Sequence, residues 1–219
     1  RAEFRDSVTF KTKPVDGTKL ATATPERKKY WGFGFDSMPV NGRVWYPEGE
    51  GPFPLVLIVH GNHDMKDYSD PGYGYLGELF ASRGYIFASV DENFLNGGIG
   101  GENDARGWML LQHLKAWKTF NDSVGSPFHG RVDMSRIALM GHSRGGEAVA
   151  IAAAFNRLSR YPDNAALTFD FNFDIKAIAA IAPDYLKITK SLVSTLAEEP
   201  IKQDLVKMLV ELAGKINAK

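Results

Sequence analysis

Residues 137–146 read IALMGHSRGG, an apolar run that ends in a glycine-rich turn around Ser143. The apolar residues are typical of a buried strand, and the segment EAVAIA that follows the turn is typical of a helix. Glycines on both sides of Ser143 allow neighbouring backbone to approach closely, because a Cβ atom would clash there. The stretch therefore predicts a strand, a sharp turn and a helix, with the Ser143 hydroxyl exposed at the edge of a sheet.

The sequence around this stretch alternates between short apolar runs and segments of helical length. The apolar runs predict strands at residues 55–59, 85–90, 137–140 and 175–182. The longer segments between them predict helices at residues 75–83, 104–120 and 146–158. Strands that alternate with helices form a mainly parallel sheet flanked by helices, which is an α/β fold.

The N-terminal part of the chain has a different pattern from this α/β region. Residues 8–47 contain short alternating stretches, among them 29–35 and 42–47, that are punctuated by glycine and proline. This pattern predicts antiparallel strands that lead into the domain.

Two turns in the α/β region follow predicted strands directly. The sequence His60-Gly61-Asn62 follows the first buried strand, and Ser143 follows a later one. Ligands bind to open α/β sheets beyond the carboxyl ends of the parallel strands. We therefore expect both turns to lie on the same edge of the sheet, where they would form a candidate active site.

Composition limits the kinds of partner that this chain can have. Its 219 residues suffice for one well-buried domain, and its 26 basic residues balance its 26 acidic ones. No overall charge attracts nucleic acid or an anionic membrane, and no apolar run approaches the roughly 20 residues needed to span a bilayer. The chain has no cysteine, which excludes disulfides and thiol nucleophiles.

Localisation stays open from the sequence. The chain begins at Arg1 without a signal-like apolar segment. This start is compatible with a soluble protein that is secreted or periplasmic after removal of a targeting peptide.

The end of the chain differs in character from the rest. Residues 186–219 contain no aromatic residue and no histidine, and apolar residues recur at helical spacing over 201–216. We expect an α/β core over residues 1–185 and an amphipathic helical tail over 186–219, in the same domain or facing a partner. Helix 201–216 is then a candidate surface for self-association.

On these residues the chain resembles the α/β-hydrolase superfamily, in its esterase, lipase and polyester-hydrolase-like branch. The resemblance runs from about residue 42 to 185 and depends on VHGN at 59–62, RIALMGHSRGG at 136–146 and APD at 182–184. It implies hydrolysis of small or polymeric carboxylic esters through an acyl-serine intermediate, with no metal or organic cofactor. Ser143 would be the nucleophile, and the amides of Asn62 and Arg144 would form the oxyanion hole.

The chain departs from the family pattern in its histidines. Family order places an acid and then a histidine after the nucleophile. All five histidines of this chain precede that serine, namely His60, His63, His113, His129 and His142. Asp184 is the candidate acid, and His63 is the candidate substitute base because its loop faces the turn at Ser143.

Two hypotheses about function follow from this departure. The chain is a serine ester hydrolase whose remaining triad members are absent from this sequence, or it is a hydrolase-fold module for binding or assembly without catalysis. A third hypothesis comes from GNHD at residues 61–64, which matches a metal-binding signature of metallophosphoesterases. The upstream D-x-H and G-D-x-x-D motifs of those enzymes are missing, so we expect no metal site.

Aromatic residues near the predicted site are candidates for substrate binding. Tyr68 and Tyr73 lie in or beside a loop on the same side, and Phe94 follows a predicted strand. These residues are predicted to form an apolar pocket for the substrate, and ordinary loop packing is the alternative.

Overall fold

The computed structural model describes residues 12–182. They fall in the first of two compact units of the chain, Arg1–Pro183. Asp184 and the predicted tail helix 201–216 lie outside the described residues, so the candidate acid and the proposed domain boundary stay predictions.

A five-stranded sheet forms the centre of the fold. Its strands are β1 (Gly42–Trp45), β2 (Phe53–Val59), β3 (Ile86–Val90), β4 (Val132–His142) and β7 (Ile175–Ile181). Their order across the sheet is β1-β3-β2-β4-β7, and only β1 runs antiparallel to its neighbour. A separate antiparallel pair is formed by β5 (Arg160–Tyr161) and β6 (Asn164–Thr168). The sequence therefore predicted the mainly parallel sheet correctly.

Strand β2 is apolar along its whole length because both of its faces are covered. Leu55, Leu57 and Val59 point into the larger hydrophobic core. The alternate residues Val56 and Ile58 join Phe87 in a second core on the other face. The two-residue period of a strand thus divides one apolar run between two layers.

Helices cover both faces of the sheet. The described residues form α1 (Pro25–Trp31), α2 (Gly74–Ala81), α3 (Glu102–Asp122) and α4 (Arg144–Phe155). Helices α3 and α4 pack against each other and contribute to the larger core. Helix α2 packs on β3 and β1, and its residues belong to the second core. All three helices predicted from the sequence are present, with ends that differ by one to three residues.

The prediction of a strand at residues 29–35 is wrong, because most of this stretch belongs to helix α1 or to the 3-10 turn Phe35–Ser37. The Thr24 hydroxyl caps the helix by accepting a hydrogen bond from the Arg27 amide at 3.3 Å, and Pro25 occupies the first turn. Gly32 ends the helix in the left-handed conformation. These capping signals outweigh the alternation of aromatic residues and glycine. Of the antiparallel strands expected over residues 8–47, β1 joins the sheet, and it is the one that does so between residues 12 and 47.

Strand β7 is less buried than its sequence predicts. Its apolar run resembles that of β2, yet most of its residues are exposed. Among the described residues β7 is the last strand of the sheet, and it pairs there with β4 alone. An apolar run therefore does not by itself give the burial of a strand.

His113 in helix α3 makes the stability of the fold depend on pH. Its ring is buried, Nε2 has no hydrogen-bond partner among residues 12–182, and this burial lowers the pKa from 6.5 to about 3. The unfolded chain then binds more protons than the folded chain between pH 6.5 and pH 3, so stability is lost as the pH falls through that window.

We predict that protonation of His113 lowers the free energy of unfolding by about 2 to 3 kcal/mol between pH 7 and pH 4.5. His113→Leu, which removes the titrating group, should lose correspondingly less over this interval. Urea unfolding of both proteins at the two pH values measures the difference. Equal losses in the two proteins would contradict the prediction.

Candidate active site

Three strands end side by side at one edge of the sheet. Val59 at the end of β2 lies opposite Val90 in β3 and opposite Gly141 in β4. The chain connects β2 to β3 on one side and then crosses to β4 on the other, so the order of winding reverses at β2. Such a reversal opens a crevice at the carboxyl ends of the strands, which is where ligands bind in open α/β sheets.

Ser143 occupies the turn between β4 and α4 in a strained conformation. Its φ is 52° and its ψ is −123°, a region that residues with a Cβ atom rarely adopt. The Ser143 amide donates to the Ile181 carbonyl at 2.9 Å, and the Ser143 carbonyl accepts from the Gly146 amide at 2.7 Å. Strain of this kind costs of order 1–3 kcal/mol and persists where surrounding contacts hold the residue in place.

Gly141 is required by the tightness of this turn. A Cβ atom at this position would collide with the carbonyl oxygen of Gly145 and would lie 2.8 Å from the amide nitrogen of Gly146. Both atoms belong to the backbone at the start of α4 and cannot rotate away. The glycine therefore lets the first turn of the helix fold back onto the end of β4.

The loop after β2 lies directly against Ser143. A Cβ atom on Gly61 would come within 2.9 Å of the Ser143 Cβ and within 3.4 Å of its hydroxyl oxygen. Next in the chain, the Asn62 side-chain carbonyl accepts a hydrogen bond from the Gly97 amide at 2.8 Å. The structure thus brings together Ser143, the Gly61-Asn62 segment and Arg144, which begins helix α4.

His60 fixes the orientation of this loop from below. Its ring is fully buried, and Nε2 accepts a hydrogen bond from the Glu92 amide at 3.2 Å. The other ring nitrogen, Nδ1, lies 2.8 Å from the Gly61 carbonyl oxygen. Since Nε2 acts as an acceptor, the proton of a neutral ring is on Nδ1, which donates to Gly61.

A buried ionic cluster lies beneath the same loop. The Arg106 guanidinium, which is fully buried, donates to the His60 carbonyl at 3.4 Å and to the Asn96 side-chain oxygen. Its Nη1 atom also lies 3.7 Å from a carboxyl oxygen of Glu92, and its Nε atom lies 3.4 Å from a carboxyl oxygen of Glu102. Sequence reasoning missed this cluster, although the spacing of Glu102 and Arg106 by one helical turn is a signal for their pairing.

Glu92 is the carboxyl group of the cluster most affected by burial. Its pKa is raised from 4.5 to about 8, chiefly by removal from solvent. The charge of Arg106 opposes this rise, and the nearby Asp91 and Glu102 carboxylates contribute to it. Burial of two carboxyl groups beside one guanidinium therefore favours the protonated form of Glu92 at neutral pH.

This protonation predicts that stability falls as the pH rises. The folded chain holds a proton on Glu92 that the unfolded chain releases above pH 4.5, so the contribution of Glu92 is lost as the pH rises towards 8. Glu92→Gln, which keeps the shape of the neutral group, should flatten the decline between pH 6 and pH 8. Urea unfolding of both proteins at these pH values measures it, and parallel declines would contradict the protonation.

A second polar network holds the loop that carries Tyr73. The Asn93 side-chain amide donates to Asp70 at 2.7 Å, and its oxygen accepts from the Ser69 amide at 2.9 Å. The Arg43 guanidinium pairs with Asp70 at 3.2 Å. These contacts tie the 3-10 turn Asp70–Tyr73 to the end of β3, so the loop beside the site is held by buried hydrogen bonds.

The candidate aromatic residues lie at different depths. Tyr68 is 38% exposed, packs on Trp31 and shares a hydrogen bond with the Tyr30 hydroxyl at 2.5 Å. Tyr73 is half-buried, whereas Phe94 is only 1% exposed and packs edge-on against Trp31. The Phe94 ring therefore packs beneath the exposed residues of this region and contributes almost no accessible surface itself.

The remaining histidines differ in how far other contacts hold them. His113 is buried in α3, and His129 Nδ1 lies 3.1 Å from the carbonyl oxygen of Asn121. His63 is exposed on the loop after Asn62. His142 is half-buried at the end of β4.

Across the described part of the chain, no three His, Cys, Asp or Glu side chains form a group that could hold a metal ion. The GNHD stretch at residues 61–64 therefore belongs to no such group there. None of the described helices combines the length and the apolar character that crossing a bilayer requires.

Comparison with known proteins identifies similar ester hydrolases. Residues 24–169 match the PET hydrolase-like family. Bis(hydroxyethyl) terephthalate hydrolase of Streptomyces coelicolor is 32% identical over 114 residues, which are 51% of this chain and 33% of that protein. Cutinase 2 of Thermobifida cellulosilytica is 31% identical over 114 residues, 52% of this chain and 39% of that protein. Cutinase est2 of Thermobifida alba is 29% identical over 114 residues, 52% of this chain and 34% of that protein. The matched segment spans about a third of the length of these relatives.

Proposed function

The chain belongs to the PET hydrolase-like family, and we propose that it hydrolyses carboxylic esters with Ser143 as the nucleophile. The observation that carries this proposal is the strained turn at Ser143, with a φ of 52°. Gly61 packs so closely against this turn that a Cβ atom on Gly61 would lie 2.9 Å from the Ser143 Cβ. A serine held in this way at the edge of a parallel sheet is arranged for attack on a substrate above that edge.

The proposed reaction proceeds through an acyl-serine intermediate. The Ser143 Oγ attacks the ester carbonyl carbon while a base accepts its proton, and the carbonyl oxygen becomes an oxyanion. The amides of Asn62 and Arg144 donate hydrogen bonds to that oxyanion, each worth on the order of 3 kcal/mol in known cases. Collapse of the intermediate expels the alcohol, which takes up a proton, and water then releases the acid from Ser143.

Arg144 suits this role because it stands at the first position of helix α4. The first amides of a helix have no partner within the helix and point towards its positive end. The Arg144 amide therefore supplies a donor and a favourable field for negative charge, in addition to the donor from the Asn62 amide.

Few residues of this chain can act as the base that accepts the Ser143 proton. His60 has hydrogen bonds at both ring nitrogens, and His113 is buried within α3. We propose His63 as the base that this chain itself offers, since it follows Asn62 on an exposed loop. Family order instead places the base after the nucleophile, with Asp184 as the acid candidate.

The substrate that we propose is a small or polymeric ester with an apolar acid part. The relatives named above are cutinases and a hydrolase of bis(hydroxyethyl) terephthalate. Tyr68 and Tyr73 offer exposed or half-exposed rings beside the loops that carry the site, and an aromatic acid could stack on such rings. Tyr68→Ala is therefore a probe for substrate binding.

Hydrolysis of p-nitrophenyl butyrate and of bis(hydroxyethyl) terephthalate tests the proposal. The wild-type chain should hydrolyse both esters, and Tyr68→Ala should raise KM more for the terephthalate. Loss of activity in His63→Ala would identify His63 as the base, whereas retained activity would assign the base to another group. An inactive wild-type chain would overturn the hydrolase proposal for this chain.

A second candidate function is a hydrolase-fold module that binds or assembles without catalysis. The observation that favours it is the segment 201–216, whose apolar residues recur at helical spacing, as in a helix that packs on a partner. We propose this segment as the surface for self-association. Sedimentation velocity of an inactive wild-type chain should then show a dimer that Leu209→Glu dissociates.

A further inference from the structure

Arg106 is a fully buried arginine that the proposed reaction does not use. Within residues 12–182 it is one of the largest side chains with no exposed surface. Burial of a guanidinium is costly, and replacement of such ionic groups by apolar residues is often neutral or stabilising. A contribution to stability therefore does not explain well why Arg106 is buried. The contacts of Arg106 indicate a second role.

The contacts of Arg106 converge on the loop that carries Asn62. Its Nη1 atom donates to the His60 carbonyl at 3.4 Å, while Nη2 donates to the side chain of Asn96. Glu102, one turn earlier in α3, holds the guanidinium through a 3.4 Å ion pair with its Nε atom. The guanidinium is thus fixed by its own helix and presented to the end of β2.

Two successive peptide groups of the loop, those that begin with the carbonyls of His60 and Gly61, are held by hydrogen bonds from buried side chains. The His60 carbonyl is held by Arg106, and the Gly61 carbonyl is held by the His60 ring at 2.8 Å. A trans peptide group is planar, and its carbonyl and amide point in opposite directions. Because the Gly61 carbonyl points to the His60 ring, the Asn62 N–H points away from that ring. The direction of the Asn62 amide is therefore set by His60.

We propose that Arg106 is a positioning residue for the oxyanion hole, acting through His60 to keep the Asn62 amide in one orientation. This inference rests on the proposed function, since the Asn62 amide is a proposed donor to the oxyanion. Without Arg106 the His60-Gly61 peptide loses the charged donor that holds it, and the His60 ring loses its fixed position between Gly61 and Glu92. The Asn62 amide would then sample several orientations.

The experiment compares Arg106→Met and Arg106→Lys with the wild-type chain and with Asn156→Ala as the matched control. Asn156 is also buried, and its side chain makes two hydrogen bonds of 2.8 Å, both to the backbone of Phe173. Its loss removes buried hydrogen bonds without a direct contact to the loop 60–62. Two readouts are needed, namely the kinetics of inactivation by a fluorophosphonate and the ¹⁵N NMR signals of the His60 ring and the Asn62 amide.

The expected result separates positioning from stability. Arg106→Met should lower the maximal inactivation rate about 10- to 100-fold, because an oxyanion donor is displaced. The fluorophosphonate concentration that gives half of the maximal rate should change less than about twofold. Arg106→Lys should recover part of the rate, and Asn156→Ala should keep it. The Asn62 amide should give one signal in the wild type and several, or a broadened one, in Arg106→Met.

The possible failures are distinct from one another. If the wild type reacts and Arg106→Met inactivates as fast as Asn156→Ala, the positioning role is overturned and the proposed function stands. If the wild type does not react, the proposed function fails, and the NMR signals alone decide the role of Arg106. In that case, unchanged NMR signals of His60 and Asn62 in Arg106→Met would overturn the positioning role of Arg106. If Arg106→Met does not fold, Arg106→Lys and Glu102→Gln supply the same comparisons.

Discussion

Ser143→Ala and Ser143→Gly are both expected to lower ester hydrolysis by more than about 10³-fold, and only the glycine variant should be more stable than the wild type. Both substitutions remove the hydroxyl that attacks the ester. They differ in the backbone, because alanine keeps the Cβ atom that makes a φ of 52° unfavourable, whereas glycine adopts this conformation freely. The gain for glycine should be about 1 kcal/mol.

Urea unfolding of the three proteins measures this difference. The alanine variant serves as the control, since it loses the hydroxyl without relief of the backbone strain. A glycine variant that is no more stable than the alanine variant would contradict the strained turn, and full activity in either variant would contradict the role of Ser143. The two results together test whether the strain is retained for function.

Gly141→Ala is expected to cost about 3 kcal/mol or more, which is a large part of the stability of a domain of this size. The added methyl group would overlap the Gly145 carbonyl, so the start of α4 would have to move away from the end of β4. Gly100→Ala is the matched control, because a Cβ atom there has open space around it. Thermal unfolding of both variants measures the cost, and equal losses would contradict the tight turn.

The central strands and the site edge could be predicted from the sequence because they depend on local patterns. Strand β2 is apolar on every residue because it is covered on both sides, and the turn at Ser143 carries glycines that the close approach requires. Both features place the Ser143 turn and the loop after β2 at the ends of neighbouring strands. The register of β2 and β4 pairs Val59 with Gly141, so the two strand ends lie side by side. Local sequence was therefore enough to predict that these two turns meet at one edge of the sheet.

The buried ionic cluster could not be predicted from the sequence in the same way. Arg106 meets Glu92 and His60 only after the sheet has formed, since these residues are 14 and 46 positions apart along the chain. A charged residue within a helical pattern is more often solvent-exposed than buried. The error at helix α1 had another cause, because alternating aromatic residues and glycine outweighed the capping signal of Thr24 and Pro25 in the prediction.

The most direct test of the central proposal is covalent labelling of the native wild-type chain by a fluorophosphonate, followed by peptide mass spectrometry. We predict one adduct, on the peptide that contains Ser143, which is absent from Ser143→Ala and from wild-type protein unfolded in urea before labelling. Absence of an adduct on Ser143 in the native protein, or equal labelling of native and unfolded protein, would contradict an activated serine at this turn.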